Sequence, residues 1–203
     1  MPATEIIRID PGSRERAFSR AREVLSAGGL IVYPTDTFYG LGADPTNSVA
    51  VQKIFTIKGR QAHQPILLLI QDAHQAAQWA AEIPAQAERL MKQFWPGPLT
   101  VVFKARPQVL SELTAGTGTV GLRMPGNALT RALLAAVGTA LTGTSANISG
   151  GPSPRTAEEA ADALGGRVDL ILDGGPSTGG EPSTVVDVSG GELRVVRAGA
   201  IKL

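Results

Sequence analysis

The sequence predicts a mixed α/β protein, a β-sheet with helices packed on it, folded as one domain over residues 1–203. Three observations predict it. Segments with apolar residues at helical spacing interleave with short β-branched runs, strands dominate the last quarter, and no long linker, internal repeat or low-complexity tract divides the chain.

The elements follow in order. Ala17, Phe18, Ala21, Val24 and Leu25 recur at helical spacing, and Gly28-Gly29 closes that helix. Residues 30–33 read as a buried strand ended by the polar turn Pro34-Thr35-Asp36-Thr37. A second helix starts near Asn47-Ser48 and stops before Gly59, with Val51, Ile54 and Phe55 on one face. A strand at 66–70 precedes two helical stretches, 72–81 and 85–94, the second opened by Pro84. Trp95-Pro96-Gly97-Pro98 interrupts the pattern. Strands are expected at 99–103, 120–124, 140–142 and 168–172, and helices at 128–137 and 157–164. Residues 184–188 and 193–196 alternate as a hairpin around Gly190-Gly191, and the Gly- and Ser-rich stretch 174–183 reads as a mobile loop.

Composition narrows the function. Hydrophobic residues make up 43% and charged residues 18%, as in an ordinary folded protein. With 19 basic and 18 acidic side chains the net charge is +1, so only a local basic patch is available for nucleic acid. The absence of cysteine excludes disulfides, thiolate metal sites and cysteine nucleophiles, and fits a reducing cytoplasm. Residues 1–5 lack the basic start of a signal peptide, and no apolar run approaches the roughly 18 residues of a membrane span. A soluble, cytoplasmic protein with no membrane contact is expected.

Four polar clusters fall at strand or helix ends, where an α/β sheet builds its cleft. The turn from Pro34 through Gly42 offers hydroxyls, a carboxylate and open backbone, but reads equally well as an Asp/Thr turn. Lys58-Gly59-Arg60 can bracket an anion or simply answer the last carbonyls of a helix. Gly143-Thr144-Ser145-Ala146-Asn147 superficially resembles a nucleophile elbow, yet Asn147 stands where that motif needs glycine. With only His63 and His74 in the chain, a Ser-His-Asp triad has no support. The glycine-rich stretch 173–183 lacks the Lys-Ser/Thr ending of a P-loop. Gly116-Thr117-Gly118-Thr119-Val120-Gly121 matches a dinucleotide fingerprint in letters, but a strand follows where a helix is required. No carboxylate pair stands beside histidines, so a protein-caged zinc is not expected; magnesium carried on ligand phosphates is compatible.

Taken in order, six stretches resemble the YrdC/TsaC family: residues 33–42, Lys58-Gly59-Arg60, residues 94–100, Gly121-Leu122-Arg123-Met124-Pro125, Thr144-Ser145-Ala146-Asn147 and Ser183-Thr184-Val185-Val186. The resemblance runs from about residue 27 to 197. It implies a twisted sheet with a concave, positively lined cleft, and a nucleotidyltransferase, L-threonylcarbamoyladenylate synthase. In that reaction L-threonine and bicarbonate give N-carboxythreonine, whose carboxylate attacks the α-phosphate of ATP and expels pyrophosphate. The product serves threonylcarbamoyladenosine modification of tRNA through a separate transferase complex, and tRNA is a further contact to consider.

By that similarity Lys58 and Arg60 would be catalytic, neutralising the phosphates. Thr37, Arg123, Ser145 and Ser183 would hold threonine. Lys58, Arg60, Gln64, Thr119, Gly143 (through its backbone), Asn147, Ser153 and Arg197 would face the nucleotide, and Mg2+ would arrive on the ATP phosphates. The chain departs from the family pattern at Gln61, where proline is common, and at Leu69, where members with a second domain often carry histidine. Its length fits the short, single-domain form. A YrdC-like module that binds RNA or nucleotide without making the adenylate is the alternative, and a carbamoyl-handling domain of a longer, cysteine-rich protein is a weaker one.

Overall fold

Alternation of apolar residues along short strands produces a sheet in which one face of each strand is dry. The computed structural model describes residues 3–59 and 64–203. Its first strands are β1 (Glu5–Arg8), β2 (Ile31–Tyr33), β3 (Gly40–Gly42), β4 (Leu67–Leu69) and β5 (Leu99–Lys104). They are followed by β6 (Thr119–Arg123), β7 (Leu141–Ser145), β8 (Leu170–Asp173), β9 (Thr184–Asp187) and β10 (Arg194–Arg197). These form one mixed sheet in the order β1-β8-β2-β3-β7-β4-β6-β5-β9-β10. The pairs β1/β8, β2/β8, β4/β6 and β5/β9 are parallel, and the other five are antiparallel.

The helices follow from periodicity and caps. In α1 (Arg14–Ser26) the buried residues are Ala17, Phe18, Ala21, Val24 and Leu25, one stripe of a 3.6-residue repeat. In α2 (Ser48–Lys58) the Asn47 side chain accepts from the Ala50 amide, and Gly59 ends the helix in the left-handed region at φ 58°. Asn127 and Thr156 cap α6 (Ala128–Val137) and α7 (Ala157–Leu164) in the same way. The others are α3 (Ala76–Trp79), α4 (Ala85–Phe94) and α5 (Ser111–Thr114).

Two cores result. The larger takes Val32, Leu41, Leu68, Val101, Leu122, Ile171 and Val186 from the sheet and packs them against α2, α4 and α7. The smaller joins α1 and α6 to Ile31, Tyr33, Leu170 and Leu172 on the opposite face. Over β4, β6, β5 and β9 that opposite face opens into a cavity instead.

Some expectations change. The helix expected over 72–81 is a 3-10 turn (Ala73–Gln75) followed by α3, because Ala80 turns extended and bridges Ala105. Strand β7 runs to Ser145, so Gly143 and Ser145 lie within a strand rather than after one. Strands β1 and β3 were not expected. β1 is an edge with only Ile7 buried, and β3 is Gly-Leu-Gly. Gly42 is required there because a Cβ would come within 2.6 Å of the Tyr33 ring. The stretch 174–183, read as a mobile loop, is tied down: the Tyr39 hydroxyl donates to Gly175 O (2.6 Å) and the Ser177 amide to Arg155 O (2.8 Å).

Helices α2 and α5 are joined by Glu112, which accepts from the Ser48 hydroxyl at 2.5 Å and from Gln52 Nε2 at 3.3 Å. The Ser48 bond, then backbone and Ser111 bonds, hold its carboxyl down at about 2, against an ordinary 4.5. A carboxylate with a lowered folded pKa stabilises above its unfolded pKa and loses that contribution as pH falls through the folded one. The stability gap between wild type and Glu112→Gln is therefore expected to be full at pH 7 and to shrink between about pH 4.5 and 2, as read by urea denaturation.

Candidate active site

In β5, Leu99, Val101 and Phe103 enter the larger core, which leaves Thr100 and Val102 on the open face. In β6 the same alternation buries Val120 and Leu122 and presents Thr119, Gly121 and Arg123. β4 contributes Leu67 and Leu69, β7 contributes Gly143 and Ser145, and β9 contributes Val185. Together with the 35–40 segment and Pro182-Ser183 they bound a cleft of about 370 Å3, within the usual range for small-molecule sites.

Arg123 closes one end. It is 5% exposed, and its guanidinium donates to Asp36 Oδ1 (2.5 Å), Thr37 Oγ1 (3.1 Å) and Gly97 O (3.1 Å). Asp36 sits in a turn made by Thr35, whose hydroxyl donates to Phe38 O (2.6 Å) and accepts from the Thr37 amide (3.1 Å). Gly97 belongs to the Trp95-Pro96-Gly97-Pro98 turn, docked on Met124 through a Gly97 N–H to Met124 O bond of 2.8 Å. Three of the five guanidinium N–H groups have these partners, so the remaining ones can serve a ligand anion.

The opposite wall holds Ser183 and Arg197. Ser183 shares a 2.9 Å hydroxyl contact with Thr100, and Arg197 donates to Ser183 O (2.7 Å) and Ser183 Oγ (3.0 Å). A β-bulge aims this arginine. Arg194 pairs with Asp187 and Val195 with Val186, but the extra residue Val196 lets Arg197 pair with Val185 and join the cleft face. Arg197 as a residue is exposed, yet its guanidinium is tucked against Ser183. That desolvation, and secondly the charge of Arg123, lower its pKa. Two cations that repel across a cleft favour an anion between them.

The third part is the β7 end. Ser145 Oγ donates to Asn147 Oδ1 (2.6 Å), and Asn147 Nδ2 donates to Gly151 O (2.5 Å). Beneath this turn lies Lys58, only 2% exposed, whose ammonium donates to Ser145 O (2.5 Å), Asn147 O (2.7 Å) and Asn147 Oδ1 (3.2 Å).

Of the residues expected in the site, the structure brings eight to the cleft: Thr37, Arg123, Ser145, Ser183, Thr119, Gly143, Ser153 and Arg197. Three differ. Lys58 does not face the cavity, because its ammonium is turned onto the carbonyls of the Ser145–Asn147 turn. Asn147 is buried behind Ser145, and Gln64 is exposed outside the lining. Arg60 and Gln61 lie outside the described residues. Thr35, whose turn the sequence offered as a source of hydroxyls, also lines the cleft, whereas sequence reasoning gave no ligand role to Thr100, Leu67 and Val185. Alternation was the available signal: within β5, Thr100 and Val102 fall on the face opposite a continuous apolar set.

Among the described residues the cleft lining holds no carboxylate, is rich in hydroxyls and includes two arginines, on an open mixed sheet. This defines an α/β protein whose cleft suits a small anionic ligand. Residues 23–199 match the model of the Sua5/YciO/YrdC family, described as "Telomere recombination", and the chain belongs to that family. It is 40% identical over 184 residues to the threonylcarbamoyl-AMP synthase of Bacillus subtilis (strain 168), covering 90% of this chain and 53% of the relative. The crystal structure of P. abyssi Sua5 complexed with L-threonine superposes with a TM-score of 0.91 at 36% identity, over 97% of this chain and 57% of that one. E. coli YciO gives 0.86 at 32% identity, over 100% and 98%. The chain thus spans a little over half the length of the synthase and of Sua5.

Arg123 and Asp36 form a nearly buried ion pair, with side chains 6% and 15% exposed. Removing one partner of such a pair strands the other charge. Arg123→Met is expected to cost about 3 kcal/mol in urea denaturation, and adding Asp36→Asn to recover part of that loss. No recovery would place the damage elsewhere.

Proposed function

We propose that this chain carries L-threonylcarbamoyladenylate synthesis, a nucleotidyl transfer using L-threonine, bicarbonate and ATP. The single observation that carries it is the placement of Arg123 and Thr37 at one end of a sheet-face cleft, with Ser183 and Arg197 on the facing wall and Thr119 along the same face. Family membership and the L-threonine complex of P. abyssi Sua5 support the reading.

In the proposed reaction the α-amine and bicarbonate condense with loss of water to a carbamate. One carbamate oxygen then forms a bond to the α-phosphorus, and the bond from that phosphorus to the bridging oxygen breaks. Its electron pair leaves with pyrophosphate. Both partners are anions, so the protein's task is to position them and stabilise charge. Arg123 would pair with the α-carboxylate through its remaining N–H groups, with Thr37, Ser145 and Ser183 offering hydroxyls beside it. Thr119, Gly143, Ser153 and Arg197 would face the nucleotide, and Arg60 its phosphates. Among the described residues no cluster of three metal-ligating side chains occurs, so magnesium would enter as part of the ATP substrate. Lys58 would act by fixing the Ser145–Asn147 turn. The adenylate would pass to a transferase that modifies tRNA, which places the work in the cytoplasm; no helix among the described residues is long and apolar enough to cross a membrane.

The test is release of pyrophosphate from ATP by purified protein. Release that requires both threonine and bicarbonate is expected; release indifferent to threonine would point to another acceptor, and none at all to a YrdC-like binding module. Lys58→Ala is expected to slow release by about 10²-fold, the scale of misplacing a positioning element by about 1 Å. Saturating ATP is not expected to restore it, because the defect lies in the turn; full rescue by ATP would assign Lys58 to phosphate binding.

A further inference from the structure

A serine or threonine hydroxyl has one proton to give and two lone pairs to receive with, so its role toward a ligand depends on where that proton is already committed. The hydroxyls of the cleft lining can be followed one by one. Thr35 Oγ1 lies 2.6 Å from Phe38 O. A carbonyl carries no proton, so a contact that short is a bond donated by Thr35. Thr35 then has no proton left for Thr37 Oγ1, 3.0 Å away, and the bond between them is donated by Thr37. Arg123 Nη1 fills one lone pair of Thr37 from the other side, at 3.1 Å. The start of β6 repeats the pattern. Thr117 donates to Thr114 O at 2.7 Å, so the 2.8 Å contact between Thr117 and Thr119 uses the Thr119 proton. In a third place Ser145 donates to Asn147 Oδ1 (2.6 Å), an oxygen that also accepts from the Lys58 ammonium at 3.2 Å. Thr37, Thr119 and Ser145 all line the cleft, and the proton of each is spent on the protein.

We infer that Thr35, Thr117 and Asn147 are positioning residues that turn Thr37, Thr119 and Ser145 into hydrogen-bond acceptors toward the ligand. The ligand groups that meet these three oxygens carry N–H or O–H: an ammonium, an amino group or a hydroxyl. Phosphate and carboxylate oxygens offer only lone pairs, so they find no partner there and are left to the arginines and to the Thr100–Ser183 pair. That pair shares a single bond at 2.9 Å and therefore keeps one proton to give, beside Arg197. The cleft thus sorts the donor groups of a substrate from its anionic groups by the direction of its hydroxyls. The inference deepens the proposed reaction and, in its ligand part, rests on it. Thr117 and Asn147 lie outside the lining, so their effect on a ligand passes through Thr119 and Ser145.

Neutron diffraction from deuterium-exchanged crystals reads the proton directions without any ligand. Deuterons on Thr37, Thr119 and Ser145 are expected to point at Thr35, Thr117 and Asn147. Deuterons pointing into the cleft would overturn the inference whatever the protein binds. Calorimetry with ATP then tests Thr117, which is exposed and outside the lining, with thermal melting as the folding control. Thr117→Val is expected to weaken ATP binding by about 2- to 10-fold, the net worth of one neutral hydrogen bond, and Thr117→Ser to leave it unchanged. In a Thr119→Val background the Thr117→Val change is expected to cost nothing further, because it acts through the Thr119 hydroxyl. Additive losses, or no loss in the single variant, would overturn the positioning role. Should Thr117→Val not fold, Thr117→Ala carries the same comparison. Failure of wild type to bind ATP would overturn the proposed reaction and the ligand part of the inference together.

Discussion

Arg123 is the point at which the site is assembled. Its three bonded partners come from segments far apart in sequence: Asp36 and Thr37 from the turn after β2, and Gly97 from the turn before β5. A guanidinium removed from water needs such partners, and the Thr37 and Gly97 amides are fixed in turn by Thr35 Oγ1 and Met124 O. The charge is therefore held in one orientation, its unused N–H groups toward the cleft. The Pro34-Thr35-Asp36-Thr37 turn and the Trp95-Pro96-Gly97-Pro98 turn both seat this side chain.

Much of this was legible in the sequence, for physical reasons. Long apolar stripes announce helices, so α1, α2, α4, α6 and α7 stand where periodicity places them. Strands with fully buried faces, β5 and β8, are visible as short apolar runs. The misses share a cause. β3 consists of two glycines and a leucine, and its strand identity comes wholly from the neighbours β2 and β7. α3 is cut short by a bridge from Ala80 to Ala105, a contact between residues that local reading cannot join. Lys58, which the resemblance sets among the phosphate contacts, has its ammonium directed inward by the path of α2, to the carbonyls of the Ser145–Asn147 turn.

The candidate site shows the same division. Ionic and hydroxyl residues such as Arg123, Thr37 and Ser145 were found, while Thr100 and Leu67 were not, since only the sheet's register puts them on the open face. Arg197 reaches that face through one extra residue in an edge strand, and an irregularity of that size leaves no mark in composition. The chain's likeness to proteins almost twice its length adds a separate lesson. The cleft lining and its two arginines fall within the family match of residues 23–199.

The sheet is covered unequally: α2, α4 and α7 fill one side, while α1 and α6 reach only part of the other. Most α/β sheets of this size are sandwiched completely. Here a slice of the sandwich is left open. Any molecule that fills it would act as removable packing, raising stability with the logarithm of its concentration above the dissociation constant.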